Sequence, residues 1–198
     1  MDESNPYAPP NADLTQASDN ATGPRYHPVS QTKFALLYFL TFGLYLLVWF
    51  YYHWRLVKER EKTGIWPVPR AIFAIFFVHA LFRRIGETAG ARGVGMAWRP
   101  NVNATWYVVL SIVSNLADRI AELSEAFTPL DFLALACFIA IYLPLRQVQQ
   151  TINEINDDPQ GGLNADYPIG TVLVMILGGL LWLVGLAGAA AILLDVTL

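Results

Sequence analysis

The sequence predicts an all-α, polytopic membrane protein with about four transmembrane helices and one further helix that is re-entrant or interfacial. Two observations carry this prediction. Of the 198 residues, 55% are hydrophobic and only 15% are charged, whereas soluble domains average roughly 25% charged residues. The apolar residues also gather in long uncharged blocks, and the longest blocks match the thickness of a bilayer.

Residues 1–33 are predicted to form a disordered polar tail in front of a membrane domain at 34–198. The tail holds five of the twelve prolines and shows no apolar periodicity, a composition that cannot bury enough apolar surface to fold. Its stretch NPYAPPNA is either an extended peptide that a partner reads or an unrecognised polar terminus, and the general behaviour of such termini favours the second.

The first predicted span is 34–52, FALLYFLTFGLYLLVWFYY. Its nineteen uncharged residues reach about 28 Å as a helix, close to the thickness of the hydrocarbon core. Trp49, Tyr51 and Tyr52 at its end are typical of the aromatic belt at a membrane interface.

A shorter block at 71–84, AIFAIFFVHALFRR, is predicted to enter the membrane without crossing it. Its apolar part reaches only about 18 Å as a helix, and arginines flank it on both sides. An interfacial helix shows one polar face, whereas this block is apolar all round apart from His79, which is expected to hydrogen-bond to a neighbour. A re-entrant helix is therefore preferred over an interfacial one.

Three more spans are predicted at 105–123, 130–145 and 169–194. Thr128 and Asp131 give the middle one the capping pattern of a helix start.

An amphipathic helix is predicted at 146–156, directly after the third span. Its apolar residues recur at spacings of three and four, which places them in one stripe on an otherwise polar helix. The stripe consists of Leu145, Val148, Ile152 and Ile155. Such a helix fits the membrane surface or the groove of a partner.

The distribution of Lys and Arg favours an arrangement with both chain ends outside the cell and residues 53–99 in the cytoplasm. Nine of the thirteen basic residues lie within 53–99. With four spans and a re-entrant block at 71–84, ten basic residues fall inside and three outside, as the positive-inside rule requires. If the block crossed, the division would be seven and six, which is almost no bias.

The stretch TFGLYLLVWFYYHWRLVK resembles a family of bacterial membrane proteins that carries a domain of unknown function, and PRAIFAIFF and VQQTINEIN are similar to other parts of its members. Those members have a Gly-x-Tyr followed by an aromatic cluster at the end of a first span. The matching residues here are Gly43, Tyr45, Trp49, Phe50, Tyr51 and Trp54. The resemblance implies a bacterial inner-membrane protein and implies no activity.

A polar stripe runs along the second predicted span. Ser111, Asn115, Asp118 and Glu122 share a narrow arc of the helical wheel. Acids are costly in lipid, so the stripe should face protein or water. One interpretation is a cation or proton path. The other is that the helix leaves the bilayer near Leu116 and the acids are solvated, and it is favoured because the charges cluster at one end.

The last predicted span carries a face of small residues, namely Gly178, Gly185, Gly188 and Ala189, while Gly179 lies off this face. Because glycine weakens a helix, the face predicts close approach of another helix, either within the chain or between copies.

Four arginines, Arg83, Arg84, Arg92 and Arg99, lie in or beside the glycine-rich connection at 86–103. They are candidates for contacts with lipid phosphates.

The sequence shows no Ser/His/Asp arrangement, HExxH or Walker motif. Its single cysteine, Cys137, excludes an internal disulfide and is expected to pack in the core. We therefore predict no enzymatic activity, no cofactor, no metal and no nucleic-acid partner. The predicted partners are membrane lipids and either another protein or a second copy. The leading function is a non-enzymatic interaction or scaffold subunit, and the alternative is a small transporter or channel component that uses the acidic stripe.

Overall fold

The computed structural model describes residues 23–123 and 128–195, and all regular structure in these ranges is helical. The helices are α1 (Gln31–Leu40), α2 (Tyr45–Glu61), α3 (Pro67–Ile72), α4 (Ala74–Ala91), α5 (Pro100–Ala121), α6 (Pro129–Ile155) and α7 (Ile169–Asp195), with a 3-10 turn at Gly162–Asn164. The predicted all-α class is confirmed. Two described helices, α6 and α7, are long and apolar enough to cross a membrane, so the predicted four spans are not shown.

The first predicted span, 34–52, is not one helix. α1 ends at Leu40, and the chain reverses where Phe42 and Gly43 adopt positive φ angles of 52° and 80°. A left-handed backbone cannot continue a right-handed helix, and the glycine accepts this conformation at little cost. The prediction of a continuous helix was wrong because hydropathy and length do not register a turn that is itself apolar.

α2 runs back along α1, so that the two form a helical hairpin, here called the first hairpin. The ring centroids of Phe34 and Trp49 are 5.8 Å apart, and the rings of His27 and Tyr52 stack at 4.6 Å. The residues before α1 and those at the end of α2 therefore lie at the same end of the molecule.

The tip of the first hairpin satisfies its own backbone groups. The Gly43 N–H donates to the Tyr38 carbonyl at 2.9 Å. The Thr41 hydroxyl donates to the Leu37 carbonyl at 2.6 Å and accepts from the Tyr45 N–H at 2.9 Å. A turn with its polar groups paired in this way is stable in apolar surroundings.

The block predicted at 71–84 is divided between α3 and α4, which meet at Phe73. The Arg70 guanidinium lies over the rings of Trp54 and Phe77, 4.4 Å and 5.0 Å from their centroids. It is also close enough to Arg84 to interact with its charge. The chain therefore enters and leaves this second hairpin at one end, a course compatible with re-entry, while its place in a membrane stays a prediction.

α5 and α6 form an antiparallel pair that extends past both hairpins. The Asn103 amide donates to the Gln147 side chain at 2.9 Å near one end, and the Ser114 hydroxyl donates to the Ala134 carbonyl at 3.2 Å near the other. The tip of the first hairpin reaches only the middle of α6, where the Tyr38 hydroxyl donates to the carbonyl of Phe138 at 2.6 Å.

The two ends of the molecule differ sharply in charge. We call the end that holds residues 23–33, 53–70, 83–99 and 146–168 the arginine end, and the opposite end of the α5–α6 pair the far end. Twelve of the thirteen basic residues belong to the arginine end: Arg25, Lys33, Arg55, Lys58, Arg60, Lys62, Arg70, Arg83, Arg84, Arg92, Arg99 and Arg146. Arg119 is at the far end.

The third span and the amphipathic helix predicted at 130–145 and 146–156 are one helix, α6, with Pro144 inside it. All four residues of the predicted apolar stripe have no exposed surface. The prediction that they face the membrane surface or a partner was wrong, because they belong to the buried core that α6 shares with the other helices of the chain. The capping box of Thr128 and Asp131 is confirmed.

The segment before α1, residues 25–29, is held by two asparagine side chains of α6. The Asn153 carbonyl oxygen accepts from the Val29 N–H at 3.2 Å, and its amide donates to the Val29 carbonyl at 2.9 Å. Asn156 likewise accepts from the Arg25 N–H at 2.7 Å and donates to the Tyr26 carbonyl at 2.9 Å. We call these contacts the asparagine clamp.

The clamp corrects the predicted boundary of the polar tail. Tyr26, Val29 and Lys33 are buried, so residues 23–33 belong to the folded structure. The rest of the predicted tail, 1–22, lies outside the described residues.

Asn153→Ala should lower the free energy of unfolding by about 2–4 kcal/mol, because it leaves the N–H and the carbonyl of Val29 buried without partners. The matched control is Gln150→Ala on the same helix, since Gln150 is exposed and its side chain donates to Glu154 on the same helix, at 3.3 Å. Chemical unfolding in mild detergent measures both. Equal losses in the two variants would contradict the role assigned to the clamp.

Candidate functional site

A groove of about 980 Å³ lies between the hairpin tips and the far half of the α5–α6 pair. Its roof is formed by tip residues of both hairpins, among them Leu44 and Ile72. α5 and α6 form its walls, and Trp182 of α7 borders one side. The groove exists because the two hairpins cover only half the length of the helix pair.

The structure places three of the four residues of the predicted polar stripe in this groove. Ser111, Asn115 and Asp118 line it, and the Asn115 amide donates to the Ser111 carbonyl at 2.8 Å. Glu122 lies outside, on the exposed far end, where it pairs with Arg119 at 3.0 Å.

A second carboxylate, Asp131, lines the groove opposite Asp118, and the two charges are close enough to interact. One oxygen of Asp131 accepts from the N–H and the hydroxyl of Thr128 at 2.7 Å and 2.9 Å. Sequence reasoning identified Asp131 only as a helix cap, because a wheel drawn for one helix says nothing about residues that face it from the next.

Among the residues that the structure describes, a glycine of the predicted small-residue face meets another helix of the chain at Gly178. A Cβ at this position would lie 1.8 Å from the Leu40 carbonyl oxygen. Next to it, the Trp182 indole N–H donates to the Phe39 carbonyl at 2.8 Å, and its ring stacks on Phe42 at 4.7 Å. α7 therefore docks on the tip of the first hairpin through its N-terminal half.

Gly185 and Gly188 make no such contact, and a Cβ added to either would meet nothing within 4 Å. Ala189 is partly buried. Of the two predicted alternatives, packing within the chain is seen at Gly178 and not at Gly185 or Gly188 among the described residues, because the first hairpin ends at the level of Trp182. Packing between copies stays a prediction.

Two of the four candidate lipid contacts are engaged in ion pairs between elements. Arg84 pairs with Glu61 at the end of α2, and Arg92 pairs with Asp157 at 2.5 Å. These pairs join α4 to α2 and to the segment after α6.

The other two candidates are more accessible. Arg83 is exposed and 3.8 Å from Glu87 on its own helix, and Arg99 is exposed just before α5. Lipid contact of all four arginines stays a prediction.

Two histidines lie together at the arginine end, which their spacing in the sequence did not suggest. The His27 backbone N–H donates to Nδ1 of His53 at 3.3 Å. Burial, together with the charge of Lys33, lowers the pKa of His27 to about 4. Burial, and then the neighbouring His27, lowers the pKa of His53 well below its usual value. Both rings are therefore neutral in the folded protein near neutral pH.

Stability should fall as the pH is lowered from about 6.5 towards about 4. The unfolded chain binds protons at these histidines in that interval and the folded chain does not, so stability is complete above the interval and decreases within it. His27 alone contributes roughly 3 kcal/mol over the interval. Unfolding midpoints measured from pH 7 to pH 4 test this.

His27→Gln should flatten this pH dependence. His79→Gln, which changes an exposed histidine, should leave it intact. Identical slopes for the wild type and both variants would show that buried histidines do not set the dependence.

His79 and Cys137, the other residues with reactive side chains that the sequence singled out, make contacts of a structural kind. As expected, His79 hydrogen-bonds to a neighbour, the Thr105 hydroxyl, at 3.2 Å, and Cys137 is buried. Within the described ranges, no three His, Cys, Asp or Glu residues converge to hold a metal ion.

Comparison with family models, curated proteins and solved structures finds no match to this chain. The resemblance noted for the first hairpin therefore stays a prediction. The candidate site is an apolar groove that is closed at one end by the two hairpin tips and has carboxylates at its open end.

Proposed function

We propose that this chain is a multi-pass protein of the bacterial inner membrane that acts without catalysis, as an interaction subunit of a membrane complex. The observation that carries the proposal is the exposed apolar surface of the C-terminal half of α7. The part of this helix from Ile169 to Ala191 is long and apolar enough to cross a membrane, and only 6% of the most apolar stretch of that part is buried. Its small-residue face continues past the hairpin tip into surface that no described part of the chain covers.

The glycines of α7 support a helix partner over a purely lipid surrounding. Lipid tails cover any apolar helix, so they give no reason to place glycines on one face at a cost in helix stability. Close contact between helices does give a reason, because van der Waals packing drives association in a bilayer. Gly178 already uses the face in this way against Leu40, and Gly185 and Gly188 extend it.

In the proposed membrane course, α5, α6 and α7 cross the bilayer and both hairpins enter from the arginine end. The 22 residues of α5 reach about 33 Å as a helix, enough for the hydrocarbon core. Because twelve of thirteen basic residues belong to the arginine end, this end is cytoplasmic by the positive-inside rule. The segment before α1 then shares a side with residues 53–99, unlike in the arrangement predicted from the sequence.

Single cysteines in a Cys137→Ser background test this course. Thr32→Cys, Lys62→Cys and Gly95→Cys should all resist an impermeant thiol reagent added outside intact cells, whereas Glu122→Cys should react. All four should react after the cells are permeabilised. Labelling of Thr32→Cys but not Lys62→Cys from outside would mean that the first hairpin crosses the membrane.

Gly185→Leu should shrink the complex seen on native gels of mild-detergent extracts, because the larger side chain keeps a partner helix away. It should leave the melting temperature of the single chain almost unchanged, since nothing in the described part of the chain lies within 4 Å of a Cβ at Gly185. Gly179→Leu is the matched control on the other side of the helix. A wild-type protein that migrates as a single chain, or equal effects of both substitutions, would contradict the proposed function.

A small transporter or channel component is the second candidate, favoured by the line of Ser111, Asn115 and Asp118 in the groove. Against it, the polar line ends under the apolar roof, and fully buried Trp49 and Phe50 lie above it. Cation or proton flux into liposomes that Asp118→Asn abolishes would favour this candidate over an interaction subunit.

A further inference from the structure

The depth of the groove matches one leaflet of a bilayer. On α5 its lining runs from Tyr107 to Asp118, and on α6 from Asp131 to Ile141. These stretches rise about 15 Å along the helices, which is half of the roughly 30 Å hydrocarbon core. The groove is roofed by the hairpin tips at its inner end. A helix that crosses the whole bilayer would collide with this roof, whereas the acyl chains of a single lipid would end beneath it.

The chemistry of the groove changes along this depth. Its inner part is lined by apolar side chains, among them Leu44, Ile112 and Leu135. Asp118 and Asp131 lie at the mouth, and no lining residue in the described part of the chain is basic.

Asp131 accepts from Thr128. Arg119 acts on the charge of Asp118 and pairs with Glu122. The three carboxylates against one arginine leave the mouth with a net negative charge, which favours a cationic group beside it.

We propose that the groove binds one phospholipid of the far leaflet whose headgroup carries a primary amine. The ammonium group donates hydrogen bonds to Asp118 and Asp131, and the acyl chains run along α5 and α6 to the hairpin tips. An anionic headgroup without an amine meets two like charges at the mouth, and a quaternary ammonium group has no N–H to donate. The groove therefore selects among headgroups while its walls accept any acyl chain. This site is separate from the α7 face on which the proposed function rests.

Native mass spectrometry of the full chain in detergent tests the proposal. The probe is an equimolar mixture of phospholipids with identical acyl chains and ethanolamine, choline or glycerol headgroups. The wild type should retain one ethanolamine lipid in preference to the other two. Asp118→Asn should reduce that preference about tenfold, as expected for the loss of one charge-assisted hydrogen bond.

Two matched pairs of variants make the result specific. Glu122→Gln removes a carboxylate of the same stripe that does not line the groove, and should keep the preference. Ile112→Trp should expel the lipid by filling the groove, whereas Val109→Trp should not, although the two parent residues are 45% and 44% exposed on the same helix.

Three outcomes would overturn the proposal. The first is equal retention of the lipids with the three headgroups, and the second is an unchanged preference in Asp118→Asn. The third is a protein, in place of a lipid, that co-elutes with the wild type and is lost in Asp118→Asn.

Discussion

At Phe42 and Gly43 the chain passes through two successive left-handed residues in the middle of an apolar stretch, and this reversal sets the direction of α2 and the place where α7 docks. A straight helix over the same residues would carry the chain to the far end of the molecule. The reversal instead returns it to the arginine end. The tip also supplies the surface on which α7 docks, through the Leu40 carbonyl at Gly178 and the Phe39 carbonyl at Trp182.

The reversal is stable because polar contacts fix the open end of the hairpin. Asn153 and Asn156 hold the segment before α1 against α6, and the Trp49 indole N–H donates to the Gln149 side chain at 2.6 Å. These groups are buried or partly buried. A donor or acceptor among them that lost its hydrogen bond would therefore destabilise the fold by its full desolvation free energy. The polar residues near the C-terminal end of α6 therefore hold the open end of the first hairpin in place by hydrogen bonds.

The two hairpins cover only half the length of the α5–α6 pair. The two ends of the molecule therefore differ in the number of helices packed together. The arginine end has a dense, hydrogen-bonded core with nearly all the basic residues, while the far end has fewer helices, a groove and exposed acids. This asymmetry gives the proposed membrane orientation and the proposed lipid site a common origin. Both follow from where the hairpin tips stop.

The sequence by itself determined the helical class and the capping box of α6, because propensity and caps are local properties. It also located Gly178 on a close-packing face and Asp118 on a polar one. Only the tertiary structure decided that 34–52 folds back on itself, since an apolar turn and an apolar helix have the same hydropathy. It likewise decided that the apolar stripe of α6 is interior and that Asp131 faces Asp118, because both depend on which distant segment covers a helix face. A pattern along one helix identifies a face but does not identify its neighbour.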